Sequence, residues 1–135
     1  MIEIIKTIPL FSRLQSDKIT PLIADNQLFL KNYSKGATVY NQKDCCKTLD
    51  IVLSGSLVAY SLSENGSEMT MFEFSRGQML GANLLFGDNH AYPLTIYCMS
   101  DARLLHVTQK AISEFLHNYD FAMEFIGMLS CNSQR

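Results

Sequence analysis

The sequence predicts a mainly β fold, a sandwich or barrel with flanking helices, on three observations. Six of the seven glycines fall between Gly36 and Gly87, which crowds turns into the middle of the chain. Between those turns run short apolar stretches of strand length, spaced as in a sandwich or barrel. On either side of them apolar residues recur at helical spacing instead.

Taken in order, Ile2, Ile5 and Ile8 keep one helix face, which Pro9 ends. A second short helix starts near Ser16, a good N-cap, with Ile19, Leu22 and Ile23 on one face. Alternatively it starts as late as Thr20, which puts Pro21 at the favoured first position. Leu28–Tyr33 leads into Ser34-Lys35-Gly36 and then Thr38–Tyr40. Leu49–Leu53 runs to Ser54-Gly55 and on to Leu57–Leu62. Glu64-Asn65-Gly66-Ser67 is the strongest hairpin signal, since Asn and Gly tolerate positive φ, and Met69–Phe74 is its return strand. Pro93–Met99 and Ala102–Val107 are the last two strands. Thr108 is an N-cap for a helix with Ile112, Phe115 and Leu116 on one face. A further amphipathic segment carries Phe121, Ala122, Phe125, Met128 and Leu129. Such a stripe suits a seam against the strands or against a partner helix, and periodicity does not separate the two.

Composition narrows the function. With 47% hydrophobic and 18% charged residues, 135 residues suffice for one domain with its own core and are too apolar for a disordered chain. A formal net charge of -2 supplies no basic field to hold DNA phosphates. No apolar run reaches the roughly 18–20 residues needed to span a bilayer, and the N-terminus does not read as a signal peptide, so a soluble cytoplasmic protein is expected. Cys45, Cys46, Cys98 and Cys131 form no CxxC pair, and His90, His106 and His117 form no HxH or HxxxH. Neither a metal nor another cofactor is therefore expected, which disfavours a cupin-like metalloenzyme. Cys45-Cys46, beside Lys43 and Lys47, is a candidate reactive thiol pair, because cations lower thiol pKa.

Several stretches resemble the cyclic-nucleotide-binding domain of CRP/FNR-type transcription regulators. They are Ile8-Pro9-Leu10-Phe11, Tyr33–Tyr40, Leu49–Leu57 with its glycine corner, and the hairpin Ser63–Glu68. The most informative, Arg76–Phe86, resembles the start of the phosphate-binding cassette, where a glycine-led turn opens a short helix. The resemblance implies a double-stranded β-helix or jelly roll, a sensor β-roll with flanking helices over residues 1–118, and the start of a dimerisation helix over 119–135. It also implies a DNA-binding helix-turn-helix, which this chain does not contain, so that DNA would be met only through that domain.

Carried over without a gap, the cassette glycine is Gly81, and the ribose-binding glutamate falls on Ala82. The phosphate-binding arginine falls on Tyr92 and the hydroxyl on Pro93. Each hydrogen bond to a charged group contributes roughly 1.5–3 kcal/mol, so a cyclic nucleotide would lose most of its hold here. The expected effector pocket is Gly81, Ala82, Asn83, Leu84, Tyr92, Pro93 and Leu94, suited to a small, partly apolar effector of unknown identity. The expected dimer seam is Phe121, Phe125, Met128 and Leu129. The expectation is thus a non-enzymatic, effector-sensing homodimer that shifts population between two packings of its last helix. The rival is a degenerate module that acts only as a dimerisation scaffold.

Overall fold

The computed structural model describes residues 1–62, 64–67 and 69–133. Ser63 and Glu68 of the hairpin motif, and residues 134–135 of the last predicted segment, lie outside the described residues. The chain divides into two compact units, one formed by Leu30–His106 and the other by Met1–Phe29 together with the chain from Val107 on.

The first unit is a β-roll of two four-stranded sheets. One sheet has the order β1 (Leu28–Tyr33), β8 (Ala102–Thr108), β3 (Thr48–Ser54), β6 (Met79–Leu80). The other has the order β2 (Thr38–Tyr40), β7 (Thr95–Cys98), β4 (Leu57–Leu62), β5 (Met69–Phe74). β4 pairs antiparallel with β5 from Leu57↔Phe74 to Leu62↔Met69, across the predicted hairpin. At the tip Gly66 takes a positive φ of 71°, and Asn65 Oδ1 accepts from the Ser67 amide at 3.1 Å. Asn65 thus serves the turn as an acceptor. β7 is shorter than the predicted Pro93–Met99: pairing with β4 begins at Thr95, after the exposed Pro93, which has no N–H to give. β6, two residues long and antiparallel to β3, is too short to leave a periodic signal.

The second unit is helical. α1 (Ile2–Lys6) stops earlier than the run through Ile8 predicts, because the chain tightens into a 3-10 turn at Pro9–Phe11. α2 (Ser16–Ala24) begins at Ser16 with no side-chain cap and keeps Pro21 inside it, so neither predicted cap is used. α4 (Gln109–Phe115) starts at the predicted Thr108, whose Oγ1 accepts from the Ala111 amide at 3.3 Å. α5 (Tyr119–Ser133) is opened by Asn118, whose Oδ1 accepts from the Phe121 amide at 3.0 Å. An aromatic cluster ties the unit together: the Phe11, Phe115 and Phe121 rings lie 5.5–5.8 Å apart, and Phe125 stacks on Phe121 at 6.1 Å. No helix among the described residues is long and apolar enough to cross a membrane.

Candidate functional site

The cassette turn is built as its sequence suggests. Gly81 sits at φ 82°, in the left-handed region, and opens the short helix α3 (Ala82–Leu85). A side chain is excluded there on steric grounds too. A Cβ on Gly81 would lie 2.9 Å from Cys46 Sγ, 3.0 Å from the Thr48 carbonyl oxygen and 3.0 Å from Tyr92 Oη.

Tyr92 is the key to this arrangement. It is only 3% exposed, and its ring stacks on Tyr40 with centroids 4.3 Å apart at 14°. Its main chain is pinned from both sides, since its amide donates to the Asp44 carbonyl at 2.9 Å and its carbonyl accepts from the Lys43 amide at 2.8 Å. Its hydroxyl is buried beside Cys46 and Tyr40 but has no partner in hydrogen-bonding geometry among the described residues.

Behind Tyr40 the roll holds a polar chain that links the two sheets. Asp50, on β3, is fully buried, and its carboxylate accepts from the Tyr40 hydroxyl, from Thr48 Oγ1 at 2.5 Å and from His106 Nδ1 at 2.6 Å. A carboxylate only accepts, so Nδ1 of His106 carries the proton and Nε2 meets the Tyr33 hydroxyl at 2.9 Å. Burial first, and then the negative charge of Asp50, pushes the Tyr33 phenol up to about 12 and raises those of Tyr40 and Tyr92 as well. The Cys46 thiol is likewise pushed up by burial, and it donates to the Thr48 carbonyl at 3.3 Å. This corrects the expectation of a reactive pair: Cys46 is buried and protonated, and the lysine neighbours do not govern it.

The raised phenols set an alkaline limit. Unfolded phenols ionise near pH 10, whereas these three keep their protons longer in the fold. Their stabilising contribution is whole below about pH 10 and is lost as pH rises through the folded values, about 12 for Tyr33. Each tyrosine held neutral should steepen the loss by about 1.4 kcal/mol per pH unit in that window. Urea unfolding midpoints followed between about pH 9 and 12 should fall steeply, and Tyr40→Phe should flatten the fall by one tyrosine's share. A wild-type midpoint that does not move over that window would contradict this account.

The other predicted pocket residues are only partly gathered. Ala82 is buried, Leu84 and Leu94 are half-buried, and Asn83 and Pro93 are exposed. The Gly87–His90 stretch is exposed, and His90 Nδ1 hydrogen-bonds the Leu84 carbonyl at 2.8 Å. Tyr40, Thr48, Asp50 and His106 are what the sequence does not single out, and Cys46 stands out there only as a thiol beside lysines. The available signal was the alternation of polar Thr48 and Asp50 with apolar Leu49 and Ile51 on one strand. Of the predicted seam, Phe121 and Phe125 are buried in their own chain's aromatic cluster, and Met128 and Leu129 are half-buried. The large exposed residues of α5 are Tyr119 (75%), Met123 and Ile126. Among the described residues no three of His, Cys, Asp and Glu are grouped to hold a metal ion.

The sequence model of the family described as "Cyclic nucleotide-binding domain" matches residues 30–119. A search of curated proteins finds no match. Among solved structures, the sensor domain of the transcriptional regulator DNR from Pseudomonas aeruginosa aligns with a TM-score of 0.80 at 21% identity, over 96% of this chain and 86% of that one. A transcriptional regulator from Thermotoga maritima aligns at 0.73 and 19%, over 86% and 89%. The catabolite activator protein of Thermus thermophilus aligns at 0.72 and 18%, over 94% of this chain but 58% of its own. Residues 30–119 carry the family match and the roll carries the fold, so the chain belongs to the cyclic-nucleotide-binding-domain family and shares its architecture with the sensor halves of CRP/FNR-type regulators.

Proposed function

We propose that this chain is an effector-sensing, dimer-forming domain of a DNA-binding regulator, working by binding and not by catalysis, with an effector other than a cyclic nucleotide. The observation that carries the reading is Tyr92. It stands at the position to which the family's phosphate-binding arginine carries over, and it is buried against the cassette glycine. The groups around Gly81 are a thiol, a phenol and a carbonyl, with the Asp50 carboxylate further in. A buried phosphate against Gly81 would face that oxygen and sulfur. The test is a thermal-shift and calorimetric titration of the chain with cyclic AMP and cyclic GMP. No shift and no heat are expected, and saturable binding of either would overturn the reading.

For the dimer, we propose a seam different from the one predicted by sequence. Tyr119, Met123 and Ile126 are exposed at the i, i+4, i+7 spacing of a coiled-coil face. Gly127 lies beside them, and a Cβ there would meet nothing within 4 Å. A mid-helix glycine costs about 1 kcal/mol against alanine, and close approach by a second helix would account for it. Sedimentation should show a dimer for the chain and a monomer for Met123→Glu with Ile126→Glu, whereas a dimer that survives both changes refutes this seam. The buried Tyr92 also lends the scaffold reading some support, since it fills part of the site.

A further inference from the structure

Among the described residues the buried Tyr92 hydroxyl has no partner in hydrogen-bonding geometry, although Cys46 Sγ and the Thr48 carbonyl stand near it. The Gly81 turn and the Thr48 carbonyl lie at the end of the phenol, and the Tyr40 ring forms the flat wall beside it. The main chain of Tyr92 is held by the bonds to Lys43 and Asp44, so its hydroxyl moves only with a turn of the side chain. Only the side chain is free to turn, and the next residue, Pro93, is already exposed. An unpartnered buried hydroxyl weakens the hold on this rotamer.

We propose that Tyr92 is an internal occupant of the effector slot: the effector is a small, neutral, planar aromatic molecule with a hydrogen-bond donor, which takes the place of the phenol between Tyr40 and the Gly81 turn while Tyr92 swings outward. The inference rests on the reading of this site as the effector site. The phenol of Tyr92 shows what the slot accepts. A stacked ring satisfies the Tyr40 face, and a donor at its end meets the Thr48 carbonyl, beside that of Gly81, which already accepts from the Leu84 and Leu85 amides. An anionic ring is disfavoured, because those carbonyls and Asp50 present negative charge. Cys46 completes the end of the slot with a protonated thiol bonded to the same carbonyls, at 3.3 Å and 3.7 Å.

A closed slot reduces apparent affinity by the fraction of molecules that are open, so removing the occupant must raise it. The full chain, Tyr92→Ala and Tyr92→Phe are titrated by calorimetry with phenol, toluene and benzoate. Tyr92→Ala should bind phenol at least about tenfold more tightly than the wild type. Toluene should bind more weakly than phenol, benzoate should not bind, and Tyr92→Phe should bind phenol no better than the wild type. Equal phenol affinity in Tyr92→Ala and the wild type, or toluene binding as tightly as phenol, overturns the proposal. Should Tyr92→Ala not fold, wild-type chain labelled with fluorotyrosine gives the answer: the Tyr92 fluorine signal, assigned by its loss in Tyr92→Phe, must move with phenol, and a fixed signal overturns the proposal. Binding of cyclic AMP would instead remove the reading on which the inference rests, whereas phenol failing with cyclic AMP silent removes the inference alone.

Discussion

Asp50→Ala is expected to cost about 3–5 kcal/mol, because several buried polar groups lose their acceptor at about 1–3 kcal/mol each. The carboxylate is fully buried and holds the Tyr40 hydroxyl, Thr48 Oγ1 and His106 Nδ1 at once. Deleting it leaves two hydroxyls and an imidazole inside the roll without their acceptor, and opens a cavity besides. Single domains have total stabilities of about 5–15 kcal/mol, so the variant would sit near the edge of folding. Asp50→Asn should be milder, about 1–3 kcal/mol, because one oxygen still accepts and the Tyr40 hydroxyl can turn to receive the new N–H. Replacing both Asp50 and His106 by leucine should recover only part of the loss, since it fills the cavity and removes the unpaired imidazole but leaves the Tyr40 and Thr48 hydroxyls without their acceptor. Urea unfolding of the four proteins checks the order. A loss under about 1 kcal/mol for Asp50→Ala would mean that the polar chain is incidental to the fold.

The same residues show what could be read from the sequence and what could not. Gly55, Gly66 and Gly81 were legible because a positive φ imposes a local chemical choice, and all three adopt it. Thr108 was legible for the same reason, as a cap three residues before the amide it receives. Asp50 and His106 were not, although they meet at 2.6 Å, because they are 56 positions apart in the chain. Alternation on β3 places Thr48 and Asp50 on one face, and polar residues on one face of a strand read as solvent-facing. In a closed roll that face is the interior, and the polarity is satisfied by partners that no local pattern reveals. The last helix, α5, is a related case. The helix has two apolar stripes, and the one with the larger rings, Phe121 and Phe125, is taken up by Phe11 and Phe115 of the same chain. For the cassette, the glycine-led turn was legible at Gly81, but the burial of the Tyr92 hydroxyl depends on packing against Tyr40 and Cys46.

Gly55→Ala should be the most damaging of the glycine substitutions, and the reason is contact more than conformation. At φ 87° an alanine is strained by about 1–3 kcal/mol, which Gly36, Gly66 and Gly77 would share at 86°, 71° and 90°. At those three a Cβ would meet nothing within 4 Å, whereas at Gly55 it would fall 2.3 Å from the Asp101 carbonyl oxygen and 2.7 Å from Ala102 Cα. Both are main-chain atoms, so no side chain can turn aside. The neighbouring segment is also held, with the Met99 amide donating to the Ser56 carbonyl at 2.9 Å and the Ser56 amide to Ser100 Oγ at 3.0 Å. Relief would have to come from parting β4 from the start of β8, which adds about 1–3 kcal/mol of overpacking or more. Gly81→Ala should fall between the two classes: Cys46 Sγ and Tyr92 Oη can move, but the Thr48 carbonyl cannot. Thermal unfolding of the alanine series should therefore rank Gly55 first, Gly81 second and the three open glycines last. A Gly36→Ala variant as unstable as Gly55→Ala would show that conformation alone sets the cost, and that the corner between β3 and β4 is not wedged against Asp101.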